Sequence, residues 1–200
     1  MNEIVRMFAV LTGICLLSAF SLTALNIGLA DQIAKQQRDN VQVPRAKEIL
    51  GEVPPDFADG YFAIEVEGVP WDVFPHIEDG RVAAIVLQST GQGGYGGDVV
   101  VMTGIDFAKD EVIGVRIAQS SETPGIGSRA GEPSYLKTYR GRPLAGTRFA
   151  LATAGGDILA VTGATRTSTA VADGVDKAVK FALAHRDEIV RQALESRAGS

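Results

Sequence analysis

Cysteine is almost missing from this 200-residue chain. Cys15 is the only one, and it sits inside an apolar run near the N-terminus. A lone thiol can neither hold an iron–sulfur cluster nor close an internal disulfide. Histidine is scarce too. His76 and His185 lie far apart, without neighbours at metal-ligand spacing, so no metal site is expected. Basic excess is absent, since the formal net charge is -5. With no basic stripe interleaved with aromatics, nucleic acid is excluded as a main partner. No internal repeat occurs. Any redox chemistry must therefore come from an organic cofactor.

What is present is a chain 46% hydrophobic with 23 glycines, suited to one globular domain plus an anchor. Met7 to Ala30 carries no charge. As a helix this run of about 24 residues measures about 36 Å, enough to cross a bilayer with some tilt. A cleaved signal peptide is the rival, with Arg6 as its n-region and Gly28-Leu29-Ala30 as its cleavage site. The run exceeds an ordinary h-region, so an uncleaved anchor over residues 1–30 is expected. Residues 31–58 are polar with scattered apolar positions and read as a helical stalk, interrupted at Pro44 and ended by Pro54 and Pro55.

From Tyr61 the pattern changes to strands. Phe62 to Glu67 alternates apolar and acidic residues, the mark of a half-buried strand whose wet face carries Glu65 and Glu67. Trp71 and Phe74 are expected in the core. Val82 to Leu87, Val99 to Met102 and Glu111 to Ala118 read as further strands. Between the first two lies Gly91-Gln92-Gly93-Gly94-Tyr95-Gly96-Gly97. It lacks the lysine of a P-loop, and a strand follows where a dinucleotide fingerprint needs a helix. It is either a site of close backbone approach to a ligand or a flexible hairpin loop. Pro124-Gly125 marks a turn. Pro133 to Leu144 reads as a linker, and Phe149 to Val161 as a hairpin around Gly155-Gly156-Asp157.

Val161-Thr162-Gly163-Ala164-Thr165-Arg166-Thr167-Ser168 precedes a helix whose apolar positions Val171, Val175, Val179 and Leu183 recur every fourth residue. Hydroxyls in such a place most often cap the helix. The alternative is an anion site, because unpaired N–H groups and the dipole favour a phosphate there.

The string TGAT followed by Thr167 and Ser168 resembles the flavinylation motif of the FMN-binding domain. That family includes the G subunit of the Rnf electron-transport complex and the C subunit of the sodium-pumping NADH:quinone reductase. Glu122-Thr123-Pro124-Gly125-Ile126-Gly127 is similar to a second segment of the family, and a glycine-rich turn with an aromatic, here Tyr95 and Gly96, to a third. One departure is Leu159, where the family usually has an Asp; the nearest acid is Asp157.

The resemblance implies FMN joined by a phosphoester to Thr165. Thr162, Gly163 and Ala164 would surround the linkage, and Glu122 and Thr123 would contact the ring or ribityl chain. It implies an α+β fold: an N-terminal transmembrane helix, then a mainly antiparallel sheet with a C-terminal helix packed on it, residues 59–200 forming the domain. It implies an electron carrier that is not catalytic alone, other membrane and iron–sulfur subunits of an Rnf-type ferredoxin:NAD complex as partners, and a separate flavin transferase for maturation. The corresponding quinone-reductase protein, a module binding FMN or another anion reversibly, and a membrane regulator are the alternatives. The basic residues Lys35, Arg38, Arg45 and Lys47 after the apolar run, against Arg6 before it, favour a cytoplasmic domain by count. The resemblance implies the periplasmic or outer side of a bacterial inner membrane, and that is the expectation adopted.

Overall fold

The computed structural model describes residues 3–198. It falls into two compact units, divided between Asn40 and Val41. In the first, α1 spans Glu3–Gln37 and buries none of its residues. Among the described residues it supplies the one helix long and apolar enough to cross a membrane, by length and composition. A π-turn, Arg38–Gln42, and α2, Val43–Leu50, follow. Pro44 sits in the first turn of α2, directly after the π-turn. Val43 and Ala46 are buried with Phe57, Phe74, Val86 and Met102, so this end of the expected stalk packs on the sheet.

The second unit is a six-stranded meander in the order β1 to β6. The strands are β1 Phe62–Val66, β2 Val69–Glu78, β3 Arg81–Gly91, β4 Val99–Asp106, β5 Glu111–Gln119 and β6 Arg142–Pro143, each antiparallel to the next. The apolar runs of β3 and β4 are continuous because the sheet is covered on both faces. Ile85 and Leu87 face the main core, and Val86 between them faces α2. The main core is closed by α4, Thr165–Ala184, with Val171, Val175 and Val179 buried as their spacing predicts.

Trp71 stacks on Phe181 of α4 at 4.2 Å, and Phe181 on His185 at 4.5 Å. The expected long C-terminal helix is in fact two. His185 ends α4, its N–H bonded to Phe181 O at 2.9 Å, and α5 runs Arg186–Ala198.

One strand was not anticipated in the sequence, and two local expectations need correction. The strand is β2, which has no strand signature because of Pro70 and Pro75. Its pairing with β1 runs from Val69 to Val73, and with β3 from Val73 to Glu78. Each proline therefore lies where the strand has only one neighbour, and its missing N–H breaks no ladder. The first correction is to the linker Pro133 to Leu144. It holds a helical turn, α3 Pro133–Leu136, and buries Tyr135, Leu136 and Tyr139. The second is to the hairpin at Phe149 to Val161, which is a single parallel bridge, Leu151 to Ile158, around a 3-10 turn Ala152–Ala154. There the Asp157 carboxylate accepts the Arg148 N–H at 2.7 Å and folds the loop onto itself.

Candidate functional site

Three loops meet at the N-terminal end of α4. Two are built on turns that demand glycine. Ala164 N–H bonds to Val161 O at 2.9 Å, closing a β-turn with Thr162 second and Gly163 third. Gly163 has φ 81°, the left-handed value that a type II turn requires at its third position. Ile126 N–H bonds to Thr123 O at 3.2 Å, closing the same kind of turn with Pro124 second and Gly125, φ 78°, third.

Helix α4 is pinned tightly to the sheet. A Cβ on Gly91 would stand 1.7 Å from Ala170 O. Ser89 Oγ donates to Gly174 O at 2.8 Å, and Lys177 Nζ to Thr90 O at 3.0 Å. The Asp173 carboxylate accepts the Gln92 N–H at 3.0 Å and ties the glycine loop to the helix.

The glycine loop, Gln92 to Gly97, is held by neighbouring protein atoms. It packs on the loop after β5. Tyr95 N–H donates to Glu122 Oε1 at 2.9 Å. A Cβ on Gly96 would meet Ser121 O at 2.0 Å, and one on Gly127 would meet Glu122 Oε2 at 2.1 Å. These glycines let two backbones and one carboxylate share a small volume. Arg129 then joins this pair of loops to the third, its Nη1 donating to Thr162 O at 3.4 Å.

The helix mouth itself is uncapped. Ala164 stands at the capping position and offers no side-chain oxygen. The first helical bond is Ser168 N–H to Ala164 O, so the N–H groups of Thr165, Arg166 and Thr167 have no helical partner. The hydroxyls are not spent on them. Ser168 Oγ accepts the Val161 N–H at 3.0 Å, and Thr169 Oγ1 donates back to Thr165 O at 2.9 Å. Thr167 is 1% exposed, and its Oγ1 has no partner among the described residues. Of the hydroxyls on this turn of helix, the Thr165 hydroxyl alone is both exposed and unengaged among the described residues. The arrangement leaves the helix mouth open to an anion.

Thr162, Gly163 and Thr123 are exposed, Ala164 is buried, and Glu122 is half-buried. Thr123 contributes its carbonyl to the turn, accepting from Ile126 and Ser128. Sequence reasoning missed two features. One is a cavity of 490 Å³ behind the loops, lined in part by Arg116, Glu122, Ser128 and Thr167. The buried Glu122 Oε2 and Thr167 Oγ1 both lack partners there, the state of polar atoms waiting for a ligand or water. The other is an apolar rim: Tyr95 at 70%, Ile126 at 55% and Leu159 at 72% exposure. Only a three-dimensional view brings these three residues to neighbouring loops.

Residues 94–180 match the family described as FMN-binding domain. The chain is 31% identical over 121 residues to the G subunit of the ion-translocating oxidoreductase complex of Vibrio vulnificus, an alignment covering 58% of this chain and 57% of the relative. It is 28% identical over 198 residues to the protein of the same name from Pseudomonas aeruginosa, covering 91% and 90%. The chain thus spans little more than half of the first relative and most of the second. In fold it is similar to the crystal structure of the C subunit of the Na(+)-translocating NADH-quinone reductase from Parabacteroides distasonis, with TM-score 0.51 and 18% identity over 78% of this chain and 92% of that one.

Proposed function

We propose that this chain, whose residues 94–180 match the FMN-binding domain family, is a membrane-anchored electron carrier holding FMN as a phosphoester on Thr165. The observation that carries this reading is the uncapped mouth of α4. A free hydroxyl, three unbonded N–H groups and the guanidinium of Arg129 converge on a turn inside the matched domain. The orphaned Glu122 and Thr167 oxygens and the apolar rim fit the rest of the cofactor.

Bound FMN supplies reversible electron transfer that the side chains themselves lack. The chain's own part is to hold it. The dipole of α4 and its N–H groups stabilise the phosphate. The bond between Tyr95 and Glu122 fixes the two loops against which the ring would lie. An ester at the far end of the ribityl chain leaves the ring's electronics alone but abolishes dissociation.

A threonine hydroxyl is a poor nucleophile without a base, and no histidine or lysine is hydrogen-bonded to Thr165 among the described residues. A separate magnesium-dependent flavin transferase is therefore the proposed installer, with FAD as donor. Thr165 Oγ1 bonds to the FMN phosphorus, the pyrophosphate linkage breaks, AMP leaves, and the hydroxyl proton is released.

The proposed partners are the other subunits of an ion-translocating oxidoreductase complex, and α1 is the proposed single-pass anchor with the domain outside the cytoplasm. Arg45 and Lys47 belong to α2, where Arg45 pairs with Glu48 at 2.9 Å, and Glu48 with Arg116 at 2.9 Å. They are part of a folded domain, and such domains cross largely regardless of charge.

The test is the intact mass of protein from a host that performs the modification. A gain equal to one FMN less one water is expected, and flavin fluorescence should persist in the boiled band of a denaturing gel. Reversible binding leaves the band dark. Thr165→Ala should lose both signals; a fluorescent Thr165→Ala band refutes the assignment.

A further inference from the structure

Arg129 lies on the 3-10 turn Gly127–Gly131, remote in sequence from the hydroxyl cluster. One of its guanidinium N–H groups reaches Thr162 O, and the other guanidinium N–H groups have no partner among the described residues. Thr162 and Thr165 are separated by at most about 11 Å of backbone. The closed turn between Val161 and Ala164 shortens that span. The guanidinium is thus held beside the helix mouth by a residue of the acceptor turn itself.

We propose that Arg129 is the phosphate-positioning residue of this site. It neutralises the phosphoryl oxygens while FMN is transferred to Thr165, and it keeps the finished ester in register with α4. The inference rests on the covalent reading above. In the transfer, Thr165 Oγ1 gains the bond to phosphorus as the bond to the AMP oxygen breaks. AMP departs with the electron pair, and the hydroxyl proton leaves to the transferase or solvent. Charge builds on the equatorial oxygens, where a fixed guanidinium acts with no reorganisation. The acceptor protein therefore supplies part of the catalytic electrostatics for its own modification.

Two substitutions separate charge from shape. Arg129→Gln keeps a donor for Thr162 O without the charge, and Arg129→Lys keeps the charge. The full-length chain in detergent is given FAD, magnesium and purified transferase, and FMN incorporation is followed by intact mass. We expect Arg129→Gln to slow incorporation about tenfold, the loss typical of one charge-assisted contact. Arg129→Lys should retain most of the rate, and both unmodified variants should melt with the wild type. In material driven to completion, the phosphorus-31 resonance of the ester should move in Arg129→Gln and stay close to wild type in Arg129→Lys. Arg129→Gln at the wild-type rate, or Arg129→Lys as slow as Arg129→Gln, overturns the proposal. If the wild-type chain itself gains no FMN mass, the covalent reading fails first and is identified as the cause.

Discussion

Replacing Gly91 with alanine tests the idea that α4 is seated directly on the sheet. The added Cβ would lie 1.7 Å from Ala170 O and 2.6 Å from Ala170 C, both backbone atoms that no rotamer change can move. An ordinary carbon–oxygen contact is about 3.3 Å, so helix and strand must part by about 1.5 Å. Overpacking of that kind costs about 1–3 kcal/mol. The same movement stretches the 2.8 Å bond from Ser89 Oγ to Gly174 O, which adds about 1 kcal/mol. A total of about 2–4 kcal/mol lowers the melting temperature of a unit this size by about 5–15 °C. Calorimetry of the full-length unmodified chain in detergent measures it. Gly60→Ala is the control, because its Cβ would meet only Pro75 Cγ at 3.6 Å, an ordinary contact. Displacing α4 also displaces Thr165, so FMN incorporation should fall with the melting temperature. A Gly91→Ala chain that melts within about 1 °C of wild type refutes the seating argument.

Two further outcomes follow from single positions. Gly163→Ala has open space around its Cβ but keeps φ at 81°, so it should strain the Val161–Ala164 turn by about 1–2 kcal/mol and, on the proposed function, slow FMN incorporation, read by intact mass. Burial, with Tyr135 beside it, pushes the Tyr139 hydroxyl above its ordinary value of 10.0, so the folded chain holds it neutral while the unfolded chain ionises. Its contribution is complete below pH 10.0 and is lost as pH rises beyond it, by about 1.4 kcal/mol per unit. Urea unfolding between pH 9 and 11 should show a shallower loss for Tyr139→Phe than for wild type, and equal losses would refute it.

The strands that alternate or run continuously apolar were legible in the sequence, because burial on one face or two writes itself into period-two patterns. Strand β2 was not, since its prolines argue against a ladder that the stagger in fact spares. Nor was the division of the last helix at His185, where no glycine or proline marks the break. At the site, Thr165, Gly163, Tyr95 and Glu122 were each visible in local strings. Arg129 was not singled out, and Thr167 was read only as part of the hydroxyl run, because their places depend on where the loop after β5 comes to rest against α4. The roles of the glycines also needed coordinates: Gly163 serves a torsion, whereas Gly96 and Gly127 serve a close approach.

Trp71 is the only tryptophan of the chain, and it lies flat against a residue of α4. Indole emission from the whole protein therefore comes from one seam, the one holding the helix that begins at Thr165. The molecule thus has an intrinsic optical gauge of that seam, readable without a label, and its emission overlaps the absorption band of an oxidised flavin.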